Sequence, residues 1–475
     1  MLPLVMLAAA FQAAGQSSVV RQYAALAGDS VLIRTDNSTF VTCCNTTGRR
    51  SCFVVNDGST CRRFYTTQEP SGIHVTDSGY VVKDMQLVNG VCWFAGYKWF
   101  DTGVPMYTPD GQAYNLVTYK AFIGRFNTAD VLSGSGNYGI IEVSGLHHIE
   151  RLAVIGNNAT AIGVMANGSR RLVEMTSGAS NDLYNLFIEE SSMSQEMFMD
   201  VVAAGNAAVV LSRFNYPEQS SFHNYYFGLR YGTAGDMKGS SATIHCYSTQ
   251  VIYGGMAMFP SVHPMRLAST NIDSGVVVAY IDQFTGYNNP YAGKFILYHI
   301  PAEGSTQPIS VMNEDNHRYT ELVDIRFCKN PGKYSFATML LRDSTGNSIL
   351  RFPFRNTGAG YWPDKMLYTP GLILESIAPY EITGTGFNLS ATGRSSGYSL
   401  TIELKESGIF SNIVFFSSDN CLSIGNSGVY VFRNYTSWVT DVSSSLTSIP
   451  SLSKISFTNH SFTSSSVSRT TTCEL

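Results

Sequence analysis

One unit recurs along this chain of 475 residues and limits its fold more than any other feature. A polar residue opens a short apolar strand, a tight turn follows, and a second apolar strand ends near glycine. The clearest copy runs from Asp84 to Gly96 (DMQLVNGVCWFAG), and similar units begin at Glu150, Asp200, Arg266, Asp324, Glu381 and Asn412. Turn chemistry stands where hairpins need it: Asn89-Gly90, Gly156-Asn157-Asn158, Gly205-Asn206, Asp273-Ser274-Gly275 and Asn330-Pro331-Gly332. These residues tolerate left-handed backbone or pre-set φ. Amphipathic third strands follow several units, as in Lys294–Ile300 (KFILYHI) and Ser348–Phe354 (SILRFPF). Each unit is therefore read as a small antiparallel sheet.

A single sheet of that size cannot bury both of its faces. Packing several face to face around an axis leaves only short, protected edges. The expectation is an all-β chain forming a β-propeller of seven blades, with eight as the alternative. The segment VLIRTDNSTFVTCC with SCFVVN is read as completing the last blade, or else as an eighth unit. Two β-sandwiches are the competing architecture, although no Pro-rich or Gly/Ser-rich linker divides the middle of the chain. Composition agrees with strands. Charged residues are 14% of the chain, while 42 Gly, 27 Tyr and 27 Phe are spread along it. Helix-forming runs are scarce.

The ends read differently. Residues 1–15 carry an apolar run and small residues placed as in a secretory signal, with no Lys or Arg ahead of the run. That run is too short to span a bilayer. The propeller is expected over 16–435, and 436–475 is Ser/Thr-rich with few large apolar residues, a composition that favours disorder. Export implies an extracytoplasmic location, whether periplasm, cell surface or medium. Four of the nine cysteines crowd between Cys43 and Cys61, and Cys43 or Cys44 is expected either bridged to Cys52 or buried as a free thiol. No Cys/His zinc spacing, P-loop, dinucleotide fingerprint or nucleophile elbow occurs, so no metal or cofactor is expected. A net charge of -4 with no long basic cluster makes nucleic acid an unlikely partner.

The blade pattern VKDMQLVNGVCWFAGYKWF followed by KAFIGRFNTADVL resembles exported β-propeller-like repeat proteins of unknown function from gut Bacteroidales. The resemblance covers mainly Asp84 to Val131, and Cys92-Trp93-Phe94-Ala95-Gly96 departs from that family's YFCG pattern. It implies a fold and an export route, and no activity.

Two groups of residues can carry function. The acids opening the repeats, Asp84, Asp200 and Asp324 with Glu150 and Glu381, would converge at one mouth of the channel if each first strand lines it. Paired carboxylates there would suit a glycan-cleaving hydrolase. The competing role is structural: an acid repeated in every blade accepts hydrogen bonds from neighbouring backbone amides. Aromatic residues form the second group. Trp93 and Trp99, with Phe100, Tyr107, Tyr114 and Tyr119, and Tyr225-Tyr226 in FHNYYFGLRYG, are candidate platforms for a glycan or protein ligand, or else packing between blades. The preferred reading is a non-catalytic binding or scaffold protein presenting propeller loops to such a ligand.

Overall fold

In the computed structural model the chain is described between residues 20 and 466, over the strands and the one short helix given below and most of the turns joining them. Residues 1–19, 467–475 and the remaining loops lie outside the described residues, and with them the segment 1–15 read as a secretory signal.

The protein is a β-propeller of seven antiparallel sheets, each a meander whose first strand lies innermost. Blade 1 comprises Ser30–Asp36, Thr39–Asn45, Ser51–Asn56 and Cys61–Tyr65. Blade 2 comprises Ser78–Val88, Val91–Tyr107, Ala113–Asn127 and Tyr138–Val143, with the helix Thr128–Ser133 before its last strand. Blade 3 comprises His148–Ile155, Asn158–Val164, Arg170–Ser177 and Leu183–Glu189. Blade 4 comprises Glu196–Ala204, Ala207–Asn215, Tyr225–Gly232 and Thr243–Ser248.

Blade 5 begins with Arg266–Ser269, Val276–Ile281, Phe295–Ile300 and Ile309–Asn313. Blade 6 begins with Tyr319–Asn330, Tyr334–Asp343, Ser348–Asn356 and Asp364–Thr369. Within the Ser/Thr-rich segment, Phe462–Ser466 and Thr458–His460 pair onto the outer edges of these two blades. Most of the remainder of 436–475 lies outside the described residues.

Blade 7 takes Ile373–Ile382, Gly386–Ser395 and Tyr398–Lys405 from one end of the chain and its outermost strand, Val20–Ala24, from the other. Closure by both ends is as the sequence suggests, but its membership differs. Residues 30–65 form a blade of their own, and the closing strand lies upstream of them. Beyond blade 7, in the unit expected from Asn412, the described strands Leu422–Gly425 and Gly428–Val431 form a separate two-stranded sheet.

The seven first strands touch their neighbours in sequence order, and blade 7 returns to blade 1. Alternate residues of each blade face opposite neighbours, so one blade feeds two cores. On one face of blade 2, Phe94, Phe122 and Phe126 pack on Val41 and Phe53 of blade 1. On the other, Trp93 and Ile123 pack on Leu152, Val154 and Val173 of blade 3. Phe227 and Tyr247 of blade 4 meet Tyr280 and Tyr298 of blade 5 in the same way. Burying each such side chain contributes about 1.5–3 kcal/mol. Cys43 and Cys92 are buried free thiols, which rules out a bridge through Cys43. The strand register sets Cys44 opposite Cys52.

Candidate functional site

Five of the first strands carry a β-bulge one step before the same position, and the bulge decides which side chain reaches the centre. The extra residues are Lys83, Glu150, Met199, Val323 and Glu375; the residues that follow them are Asp84, Arg151, Asp200, Asp324 and Ser376. Such an insertion re-aims the next side chain. With Arg266 in the equivalent place of blade 5, blades 2 to 6 present Asp, Arg, Asp, Arg and Asp in turn.

Two of the aspartates clasp their blade to the next one. Asp84 Oδ1 accepts from its neighbour Met85 N at 2.9 Å, and Oδ2 from Leu152 N of blade 3 at 3.0 Å. Asp200 repeats this on Val201 N at 2.9 Å and on Leu267 N of blade 5 at 2.8 Å. Asp324 Oδ1 accepts from Ile325 N at 3.0 Å. Ser376 takes the same part at the closing seam, where its Oγ accepts from Ile33 N of blade 1 at 3.4 Å.

Arginines complete the belt. Arg34 Nη2 pairs with Asp84 Oδ1 at 2.8 Å, while its Nε donates to Met85 O at 2.6 Å and its Nη1 to Ser376 Oγ at 2.9 Å. Arg326 Nε donates to Asp324 Oδ2 at 3.2 Å, and Arg326 Nη2 reaches to 3.9 Å from Asp84 Oδ1. Arg151 Nε lies 3.6 Å from Asp200 Oδ1. Burial and neighbouring charge compete at Asp324, Asp200 and Arg266. At Asp324 burial works against ionisation, but Arg326 and Arg34 outweigh it and hold the carboxyl below its usual range. At Asp200 burial wins over Arg151 and Arg266, and the carboxyl stands above its usual range. Burial and the nearby Arg151 bring Arg266 down to about 10.

The acids expected from the repeat thus have three different placements. Asp84, Asp200 and Asp324 are buried in the belt, each bonded to backbone amides. Glu150 is the bulged residue, half-buried and paired with Arg170 at 2.8 Å. Glu381 pairs with Phe387 near the hairpin of blade 7, five residues past Ser376. The alternation with arginine is what the sequence reading missed. In blade 3 the bulge, invisible in composition, put Glu150 in the place that belongs to Arg151, while Arg266 opened its unit without being read together with the acids.

Among the aromatic candidates, Trp93 is fully buried between blades 2 and 3, and Trp99 is 4% exposed, so neither is an open platform. Both lie on the face of blade 2 that looks toward blade 3, which pattern alone did not reveal. Tyr225 and Tyr226 open the third strand of blade 4, opposite Asn215 and Phe214, and their side chains lie outside the described residues. Phe227 beside them is fully buried.

An exposed surface occurs instead at the far end of blade 2. Its second and third strands, Val91–Tyr107 and Ala113–Asn127, outrun those of the other blades. They project as a hairpin from the end opposite the Asn89-Gly90 turn. Five of the seven exposed large apolar side chains among the described residues lie on it: Val104, Met106, Tyr107, Leu116 and Tyr119, with Tyr107 67% exposed. At its base Tyr119 packs on His147 with ring centroids 4.4 Å apart and on Tyr97 at 5.6 Å, and Lys83 Nζ lies 5.7 Å over the Tyr97 ring. His147 and His148 approach at 3.0 Å through their Nδ1 atoms. Burial and His147 keep His148 below its ordinary value.

Neither a family model nor a curated protein matches the sequence. Solved structures do resemble the fold. The β-propeller domain of the trilobed protease from Pyrococcus furiosus, which has an open velcro topology, aligns at 7% identity and a TM-score of 0.40, covering 80% of this chain and 98% of that one. An ulvan lyase of polysaccharide lyase family PL25 aligns at 9% identity and a TM-score of 0.32, covering 80% and 95%. Among the described residues no three His, Cys, Asp or Glu side chains group as metal ligands, and no helix is long and apolar enough to cross a membrane.

Proposed function

We propose that this chain is an extracytoplasmic binding or scaffold protein, exported in the manner of the repeat proteins it resembles, that presents the projecting hairpin of blade 2 to a glycan or protein ligand. The observation that carries this reading is the cluster of Val104, Met106, Tyr107, Leu116 and Tyr119 on one exposed arm. Grouped apolar side chains on a surface mark interaction sites, whereas scattered ones need no explanation. Tyrosines suit both ligand classes, because a rigid ring stacks on a sugar face or fills a protein pocket while its hydroxyl stays wet.

A glycan-cleaving reaction would need one proton donor and one free base or nucleophile across the scissile bond. Asp84, Asp200 and Asp324 are instead engaged by backbone amides, which favours binding over hydrolysis. The test is a glycan and protein array probed with the chain lacking residues 1–15, and with a Tyr107→Ala/Tyr119→Ala double variant. Loss of at least about 2 kcal/mol in affinity for the captured ligand, with an unchanged melting temperature, is expected. Capture by the variant at full affinity would remove the arm from the binding surface.

A further inference from the structure

At the end of the channel opposite the projecting hairpin, a cavity of about 260 Å³ sits above the charged belt, and all seven blades line it. Its position follows from the register. Two residues past the belt, blades 3, 4, 5 and 7 carry Ala153, Val202, Ala268 and Ala378, which are too small to meet across the axis. Blades 1, 2 and 6 carry Arg34, Gln86 and Arg326 at that level.

The polar groups on this cavity have unused capacity. Arg326 spends its Nε on Asp324, but its nearest further carboxylate, Asp84, is 3.9 Å from Nη2, beyond hydrogen-bond reach. Thr35 Oγ1 is buried without a hydrogen-bond partner. Four guanidinium groups, those of Arg34, Arg151, Arg266 and Arg326, stand in the belt and floor against the three carboxylates of Asp84, Asp200 and Asp324. One positive charge is therefore in excess at that level. Asp36, further along blade 1, accepts from Gly90 N at 3.0 Å and does not line the cavity.

We infer that this cavity binds a small organic carboxylate with an apolar body, its charged group on Arg326 and Thr35 and its body against Leu87, Val154, Val202 and Phe327. A guanidinium presents paired donors that match a carboxylate, and such charge-assisted bonds are about twice as strong as neutral ones. Leu87, Val154, Val202 and Phe327 give an apolar body a surface to pack on, while Gln86 and Ser269 add polar groups to the wall. The site is at the opposite end of the propeller from the blade 2 arm and does not depend on the ligand proposed there.

Calorimetry on the full chain tests this, using benzoate, its neutral counterpart benzamide, and sulfate. Benzoate is expected to bind with one-to-one stoichiometry, at least about tenfold more tightly than benzamide or sulfate. Arg326→Gln should abolish the preference for benzoate over benzamide. Ala203→Leu, which narrows the cavity and leaves the belt intact, should weaken benzoate by about tenfold or more at an unchanged melting temperature. The inference is overturned if benzoate does not saturate, if benzamide or sulfate binds as well, or if Ala203→Leu leaves its affinity unchanged. The last arm decides the matter even if Arg326→Gln fails to fold.

Discussion

Alanine in place of Asp84 is expected to destabilise the protein by about 3–5 kcal/mol and to abolish most of its soluble yield. The carboxylate accepts from Met85 N and Leu152 N and is the counter-ion of Arg34, all away from water. Its removal strands two buried amides and one buried cation, and unmet groups of this kind cost more than the bonds themselves contribute. Asp84→Asn keeps an acceptor and should lose less, because its amide oxygen stays on Met85 N and Arg34 while its NH2 group, a donor, replaces the acceptor of Leu152 N. Glu150→Ala, at a half-buried pair, should cost no more than about 1 kcal/mol. Denaturant unfolding of the three variants reads out this order. A well-folded Asp84→Ala variant that had lost hydrolysis on a glycan panel would instead make the belt catalytic, and Asp200→Ala and Asp324→Ala carry the same test.

Gly96→Ala is expected to destabilise blade 2 by about 3 kcal/mol. Gly96 pairs with Val82 where the first strand bulges at Lys83, and the bulge folds the Val81 carbonyl over the glycine. An added Cβ would fall on that backbone oxygen, which no rotamer can move. The second strand must lift away, and the bulge that directs Asp84 to the belt goes with it. Lys83→Ala, at the exposed bulged residue, should stay within about 0.5 kcal/mol. Equal melting temperatures for Gly96→Ala and the parent would separate the bulge from the stability of the blade.

Much of this fold could be read from local chemistry. Asn89-Gly90 turns with both residues at positive φ, 51° and 75°, as a two-residue hairpin joining right-twisted strands requires. Because each turn fixes one hairpin, the repeat was legible, and the total of seven agrees with the ring although the unit counted from Asn412 is not one of its blades. What failed was longer in range. Membership of the blades went wrong at both ends, because Ser30–Tyr65 has the strands of a blade without the opening acid, and the Asn412 unit has a hairpin without a place in the ring. Trp93 stood between ligand platform and blade packing because a strand's two faces look alike in sequence; only the neighbouring blade decides that both are buried. The acids were found, but their partners were missed, since Arg34 reaches Asp84 across 50 residues and from a different level of the strand.

The most direct measurement is amide hydrogen exchange at Leu152 and Leu267 in the full chain, compared with Asp84→Asn. If Asp84 and Asp200 clasp their blades to the following ones, both amides belong to the slowest-exchanging class, and the variant releases Leu152 while leaving Leu267 protected. Exchange at Leu152 as fast as at the exposed Gly156 and Asn157 turn, or release of both amides together, would contradict a clasp built from separate carboxylates.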